Sequence, residues 1–143
     1  MLNTASVCVG RLVEIRVGAG YRSSADVDAV FAQIARAIST RPNQIWVAVA
    51  DWRYCPIMSS DAAERALAGM TRNNPQVERS AALASAHSPT AVLQFTRLVR
   101  ESNNERRRLF DDASALIAWI GEVLTRPELT RLEEFLREAP PRR

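Results

Sequence analysis

Six consecutive apolar residues, Ile45 to Ala50, stand between Asn43 and Asp51. A strand with one solvated face alternates apolar and polar residues, so an unbroken run predicts a strand buried on both faces, the mark of a central, parallel-type member. Such a strand needs neighbours on each side and helices on its faces. The flanking sequence supplies them. Val13, Ile15 and Val17 alternate with Glu14 and Arg16, preceded by Val7 and Val9, which predicts a strand pair broken at Gly10. After Gly20, Ser23 or Ser24 caps a helix with Val27, Val30, Phe31, Ile34 and Ile38 on one stripe, ending near Arg41 before Pro42.

Beyond the central run, Asp61 and Glu64 fit a capping-box-like start to a second helix, which Asn73, Asn74 and Pro75 stop. Ser80 to Ala84 reads as a short strand, and Ser88-Pro89 opens a third helix carrying Val92, Phe95 and Val99. Arg107 to Phe110 is a plausible fourth parallel strand. Asp111 caps a helix over Ala113 to Leu124, and Thr125, Pro127 and Glu128 form a capping box for a last helix with Leu129, Leu132, Phe135 and Leu136 inward. The alternation predicts an α/β fold: a mixed sheet of four to five strands with right-handed crossovers and helices packed on it.

Composition agrees with one domain over residues 1–143, with 138–143 as a frayed tail. At 143 residues, 47% hydrophobic with 5 Gly and 7 Pro, the chain holds a core without staples, which excludes disorder, collagen and a disulfide miniprotein. Two cysteines, Cys8 and Cys55, favour a reducing compartment, and no apolar segment suits secretion or membrane spanning, so a cytoplasmic location is expected. All 19 basic residues are Arg, a bias of GC-rich genomes. The net charge of +3 against 16 acidic residues gives nucleic acid little to grip.

The element order and the stretch from Val47 to Leu67 resemble the STAS domain of anti-sigma-factor antagonists. The second half, in Arg79 to Ser85, Thr90 to Glu101 and Arg106 to Leu124, resembles the bacterial STAS-like (SpoIIAA-like) proteins. The resemblance implies a regulatory protein that binds another protein. In the antagonists a buried strand leads to an Asp-Ser-Ser-Gly turn at a helix start, whose first Ser is the phosphorylated switch. Here the place reads Ser59, Ser60, Asp61, Ala62, so Ser60 stands at the phosphoacceptor with Ser59 beside it, and the other three positions depart from the pattern. A phosphate there would meet helix amides, but Asp61 would repel it. Ser60 or Asp61 is otherwise a helix cap.

The residues offer little conventional chemistry. His87 is the lone histidine, in a loop, and no nucleophile elbow, phosphate-cradling glycine loop or metal-ligand set occurs. No metal, cofactor or enzymatic activity is expected. Asp51, Trp52, Arg53 and Tyr54 leave the central strand at its C-terminal end, where open α/β sheets place ligands. Trp52 and Tyr54 either stack a ligand or partner or cover the sheet edge. Cys55 is a small core residue or a nucleophile lacking a base. Arg106, Arg107 and Arg108 make the only basic run, and strand alternation divides them between two sides.

Two functions follow. One is a non-enzymatic STAS-like regulator that binds a partner protein through Asp51, Trp52, Arg53, Tyr54 and Asp61, switched at Ser60 or Ser59. The alternative is a small-molecule or lipid-binding module with a cavity between sheet and helices near Trp52 and Tyr54. A homodimer through the last helix is compatible with either.

Overall fold

A computed structural model describes residues 2–41 and 43–138. Five strands form one mixed sheet in the order β1 (Asn3–Val7), β2 (Leu12–Val17), β3 (Trp46–Asp51), β4 (Val77–Leu83) and β5 (Arg107–Phe110). β1 and β2 make an antiparallel hairpin, whereas β2 to β5 are parallel. Between parallel neighbours run α1 (Ser24–Ile38), α2 (Ser60–Asn73) and α3 (Pro89–Glu101), and α4 (Ala113–Ile120) and α5 (Arg126–Arg137) follow β5. The predicted α/β class and mixed sheet are both present.

Strand order matches chain order, so each crossover steps the same way. Crossovers of one hand then stack their helices on one face. Accordingly Val27, Val30, Ala66, Met70, Phe95 and Leu98 from α1 to α3 share one apolar cluster with Trp46, Ala48 and Ala50. Leu116, Ile120, Leu132, Phe135 and Leu136 from α4 and α5 cover the other face, against Val47 and Val49. β3 is buried along its whole length, as its unbroken apolar run demands.

Several boundaries differ from the sequence expectation. β3 begins at Trp46 because Trp46 is the first residue to find a ladder partner, Val77, and Ile45 before it is 45% exposed. β4 starts at Val77 rather than Ser80, since the polar residues Glu78 and Arg79 accompany a strand already pairing with β3. α1 stops at Ile38, short of Arg41, and Pro42 lies outside the described residues. α4 ends at Ile120 and tightens into a 3₁₀ turn over Gly121–Val123; its cap is Asp112, which accepts from the Ala115 amide at 3.1 Å, not Asp111.

The apolar stripe of α5 is spent inside this molecule, with Leu132, Phe135 and Leu136 all buried, which removes the surface expected to dock a second copy. Glu138, assigned to a frayed tail, instead accepts from Arg16 and Arg131 at 3.1 and 2.8 Å; residues 139–143 lie outside the described residues.

A buried carboxylate fixes the start of α5. The capping box forms as the spacing implies, with Glu128 Oε1 accepting from the Thr125 amide at 2.8 Å. Its Oε2 accepts from the Arg11 amide at 2.8 Å and so ties α5 to the β1–β2 turn. Gly10 sits in that turn at φ +58°, and a Cβ there would collide with the Glu128 carboxylate, so glycine satisfies both backbone and space. Burial pushes this carboxyl up, but the donors from Thr125 and Arg11 outweigh it and hold the pKa below the usual value.

A carboxyl depressed on folding stabilises above its unfolded pKa, about 4.3, and loses that contribution as pH falls through the folded value. Glu128→Gln turns an amide NH₂ toward one of two donors, which is expected to cost about 2 kcal/mol at neutral pH. Thermal unfolding across pH checks this: the deficit should shrink toward pH ~3 as the wild-type carboxyl protonates, and a constant deficit would show that charge is irrelevant.

Candidate functional site

The residues expected on an outer rim divide between interior and surface. Asp51 is 0% exposed and takes a two-pronged bond from Arg53, Nε to Oδ1 and Nη2 to Oδ2, both at 2.9 Å. Arg53 Nη2 also donates to the Leu136 carbonyl at 2.8 Å, near the end of α5. The Asp51 bond, against burial, raises the Arg53 pKa. This pair holds a helix terminus in place, where a cation favours unsatisfied carbonyls. Asp51 cannot reach a partner, which corrects its assignment to a contact surface. Trp52 is 6% exposed and meets Phe95 edge-on at 5.0 Å between centroids, so it too is internal. Strand alternation delivers Asp51 and Trp52 to opposite layers, and neither reaches the rim.

Tyr54 does lie outside, at 45% exposed, with exposed Ile57 nearby in the chain. Ser60 is exposed as the first residue of α2. The cap is Ser59, one residue earlier than expected, accepting from the Ala62 amide at 3.4 Å. The Ser59 hydroxyl donates to Asp61 Oδ1 at 2.7 Å, while Asp61 Oδ2 accepts from the Ser24 amide at 3.4 Å. Chiefly through the Ser59 bond, the Asp61 carboxyl is held below its ordinary pKa. The start of α2 therefore already carries an anion.

Elsewhere the chemistry is quiet. Cys55 is buried, and burial pushes its thiol up to about 11, opposed only by a bond from the Tyr21 amide, which leaves it protonated and inert near neutrality. Cys8 and His87 are exposed and separate. Among the described residues, no group of three or more His, Cys, Asp or Glu gathers as a metal site, and no helix is long and apolar enough to cross a membrane.

The prominent concavity lies inside, between the sheet and α1 and α2. Along β3, residues facing this layer read Trp46, Ala48, Ala50, and Trp52 follows at the same spacing. From Trp46 to Trp52 is about 20 Å at 3.3 Å per residue. Large rings stand at the two ends and methyl groups lie between, joined by Ala82 of β4. The helices are thus held off the floor, leaving a cavity of about 80 Å³ walled by Tyr21, Phe31, Ile34, Met70 and Val99. Burial pushes the Tyr21 hydroxyl pKa upward, so it enters as a neutral phenol.

Two features accompany this space. Trp52 Nε1 is buried with no hydrogen-bond partner, a donor whose desolvation costs about 1–3 kcal/mol. Phe31, Ile34 and Ile38 also line a separate outer groove of about 270 Å³, together with Ala35, Ser39 and Arg72. Phe31 lines both spaces, its ring seated on Gly69, where a Cβ would stand 2.5 Å from Cζ. Arg107 also lines the cavity. The sequence points to a cavity near Trp52 and Tyr54; Tyr54 lies outside it, while Trp46, Phe31 and Arg107 line it, and the large-small-small-large alternation from Trp46 to Trp52 is the available signal.

No protein-family model, curated protein or solved structure matches this chain.

A floor of alanines under real empty space should accept more carbon. Ala48→Val adds two methyl groups in a residue suited to strands, and is expected to stabilise by about 1 kcal/mol as they fill vacant volume. Chemical denaturation measures it, and a loss of stability would mean that the layer is already closed.

Proposed function

We propose that this protein is a binding module that holds a small, largely apolar molecule between its sheet and helices α1 and α2. The observation that carries the reading is the cavity between Trp46 and Trp52, floored by alanines and walled by residues of α1 and α2. Ligand sites are concave, mainly apolar and marked by a few polar groups that orient the guest. The vacant volume suits a slender guest.

The test uses hexanol as probe, which offers a thin apolar tail and one oxygen. A molecule that binds only the folded state stabilises it by about 2.7 kcal/mol at a hundred times its Kd, enough to raise Tm by several degrees. Hexanol is expected to raise Tm and shift tryptophan fluorescence, with both responses reduced in Ala48→Val. An unchanged Tm at saturating hexanol would defeat the reading.

A second reading is a STAS-like regulator that binds another protein and is switched at Ser60; it is favoured by the exposure of Ser60, Tyr54 and Ile57 about the start of α2. The internal positions of Asp51 and Trp52 weaken it. So does Asp61, whose charge occupies the helix N-terminus that a phosphate would seek. Under this reading Ser60→Glu should alter which proteins a bacterial lysate leaves on the immobilised chain while Tm stays the same. Identical capture by both forms would set it aside.

A further inference from the structure

The cavity holds one unbalanced charge. Arg107 and Arg108 are the charged residues lining it, and their heads part company because neighbours on a strand face opposite layers. The Arg108 guanidinium lies over the Trp119 ring at 4.8 Å. Arg107 stays with the cavity, where Nε donates to Asn74 Oδ1 at 2.8 Å, Nη1 to Ser80 Oγ at 3.1 Å and Nη2 to the Met70 carbonyl at 3.0 Å. All three acceptors are neutral, and among the described residues no carboxylate pairs with this guanidinium.

A guanidinium has five N–H donors, and three bonds leave two over. Arg107 is only part-buried, and a cation partly withdrawn from water gains from a counter-charge. Burial, helped by neighbouring Arg106, pushes the Arg107 pKa down to about 10, so it stays charged near neutrality. Its three neutral acceptors fix the head in place and leave its charge unmatched.

We infer that the guest in this cavity is a monocarboxylate with an unbranched apolar tail, its carboxylate on the two free N–H donors of Arg107 and its tail over Ala48, Ala50 and Ala82. A carboxylate is planar, matches the guanidinium fork and adds little volume. The inference rests on the cavity reading above and adds the charge and position of the guest's polar end.

Calorimetric titration of the wild type with hexanoate and octanoate, against hexanol, octanol and octyl phosphate, separates the possibilities. The carboxylates are expected to bind about tenfold tighter than the alcohols of equal length, because a charge-assisted bond replaces a neutral one. Arg107→Gln should abolish that advantage and Arg107→Lys retain part of it. Alcohols binding as well as carboxylates would overturn this inference and leave the cavity reading intact. Tighter octyl phosphate would replace the carboxylate with a phosphate. Failure of every probe would defeat both readings together. The wild-type ratio needs no variant, so an unstable Arg107→Gln does not blunt the result.

Discussion

The spacing of bulk along β3 governs the molecule. Its residues are buried on both faces, so what each face carries decides how closely each helical layer approaches. Val47 and Val49 are medium-sized, and α4 and α5 close on them with Leu116, Ile120, Leu132 and Phe135 fully or almost fully buried. Trp46, Ala48 and Ala50 are large, small and small, and Trp52 restores the bulk just past the strand. Helices cannot bend over a few residues to follow such a profile, so they rest on the rings and span the alanines. A dense layer and a hollow one therefore share a single strand.

The dense layer is pinned by charge. Glu14 and Arg16 point from β2 toward α5, where Glu14 receives Arg131 through two bonds at 2.8 and 2.7 Å and Arg16 stacks on Phe135 at 4.2 Å. Asp51 and Arg53 complete the set at the Leu136 carbonyl. Buried charges of this kind contribute little net stability against apolar substitutes, but removing one partner strands the other, so they select one docking of α5 over its neighbours. The pairing explains why polar residues that looked available for recognition are consumed internally. The acceptor that Arg53 finds on Leu136 lies more than eighty residues away and has no local trace.

Much of the fold was legible because it rests on short-range patterns. The unbroken run of β3, the alternation of β2, the stripe of α1 and the Thr125-Glu128 box each depend on neighbours within one or two turns. Boundaries were less legible where tertiary pairing sets them, as when Val77 recruits three residues into β4 and Ile45 is left outside for want of a partner. The candidate site was legible only in part. A cavity is a property of two surfaces failing to meet, and Trp46, Phe31 and Arg107 come from different elements, so only the β3 side left a periodic mark. Arg107 is the instructive case. Strand alternation divides the three consecutive arginines between two sides, but only the parallel register beside Ser80 decides that Arg107 turns toward the cavity while Arg108 faces Trp119.

The hollow also depends on where α1 and α2 meet each other. Gly69 exposes the backbone of α2, and Phe31 of α1 lies directly on it. A side chain at that position would thrust the ring away and wedge the two helices apart, whereas the bare backbone lets them draw together above the sheet. Close approach between the helices and wide separation from the alanines are two parts of one geometry: the rings of Trp46 and Trp52 set the height, and Phe31 on Gly69 seals the roof. The same ring borders the inner cavity and the outer groove, so the contact that closes the roof is also where the interior adjoins the surface.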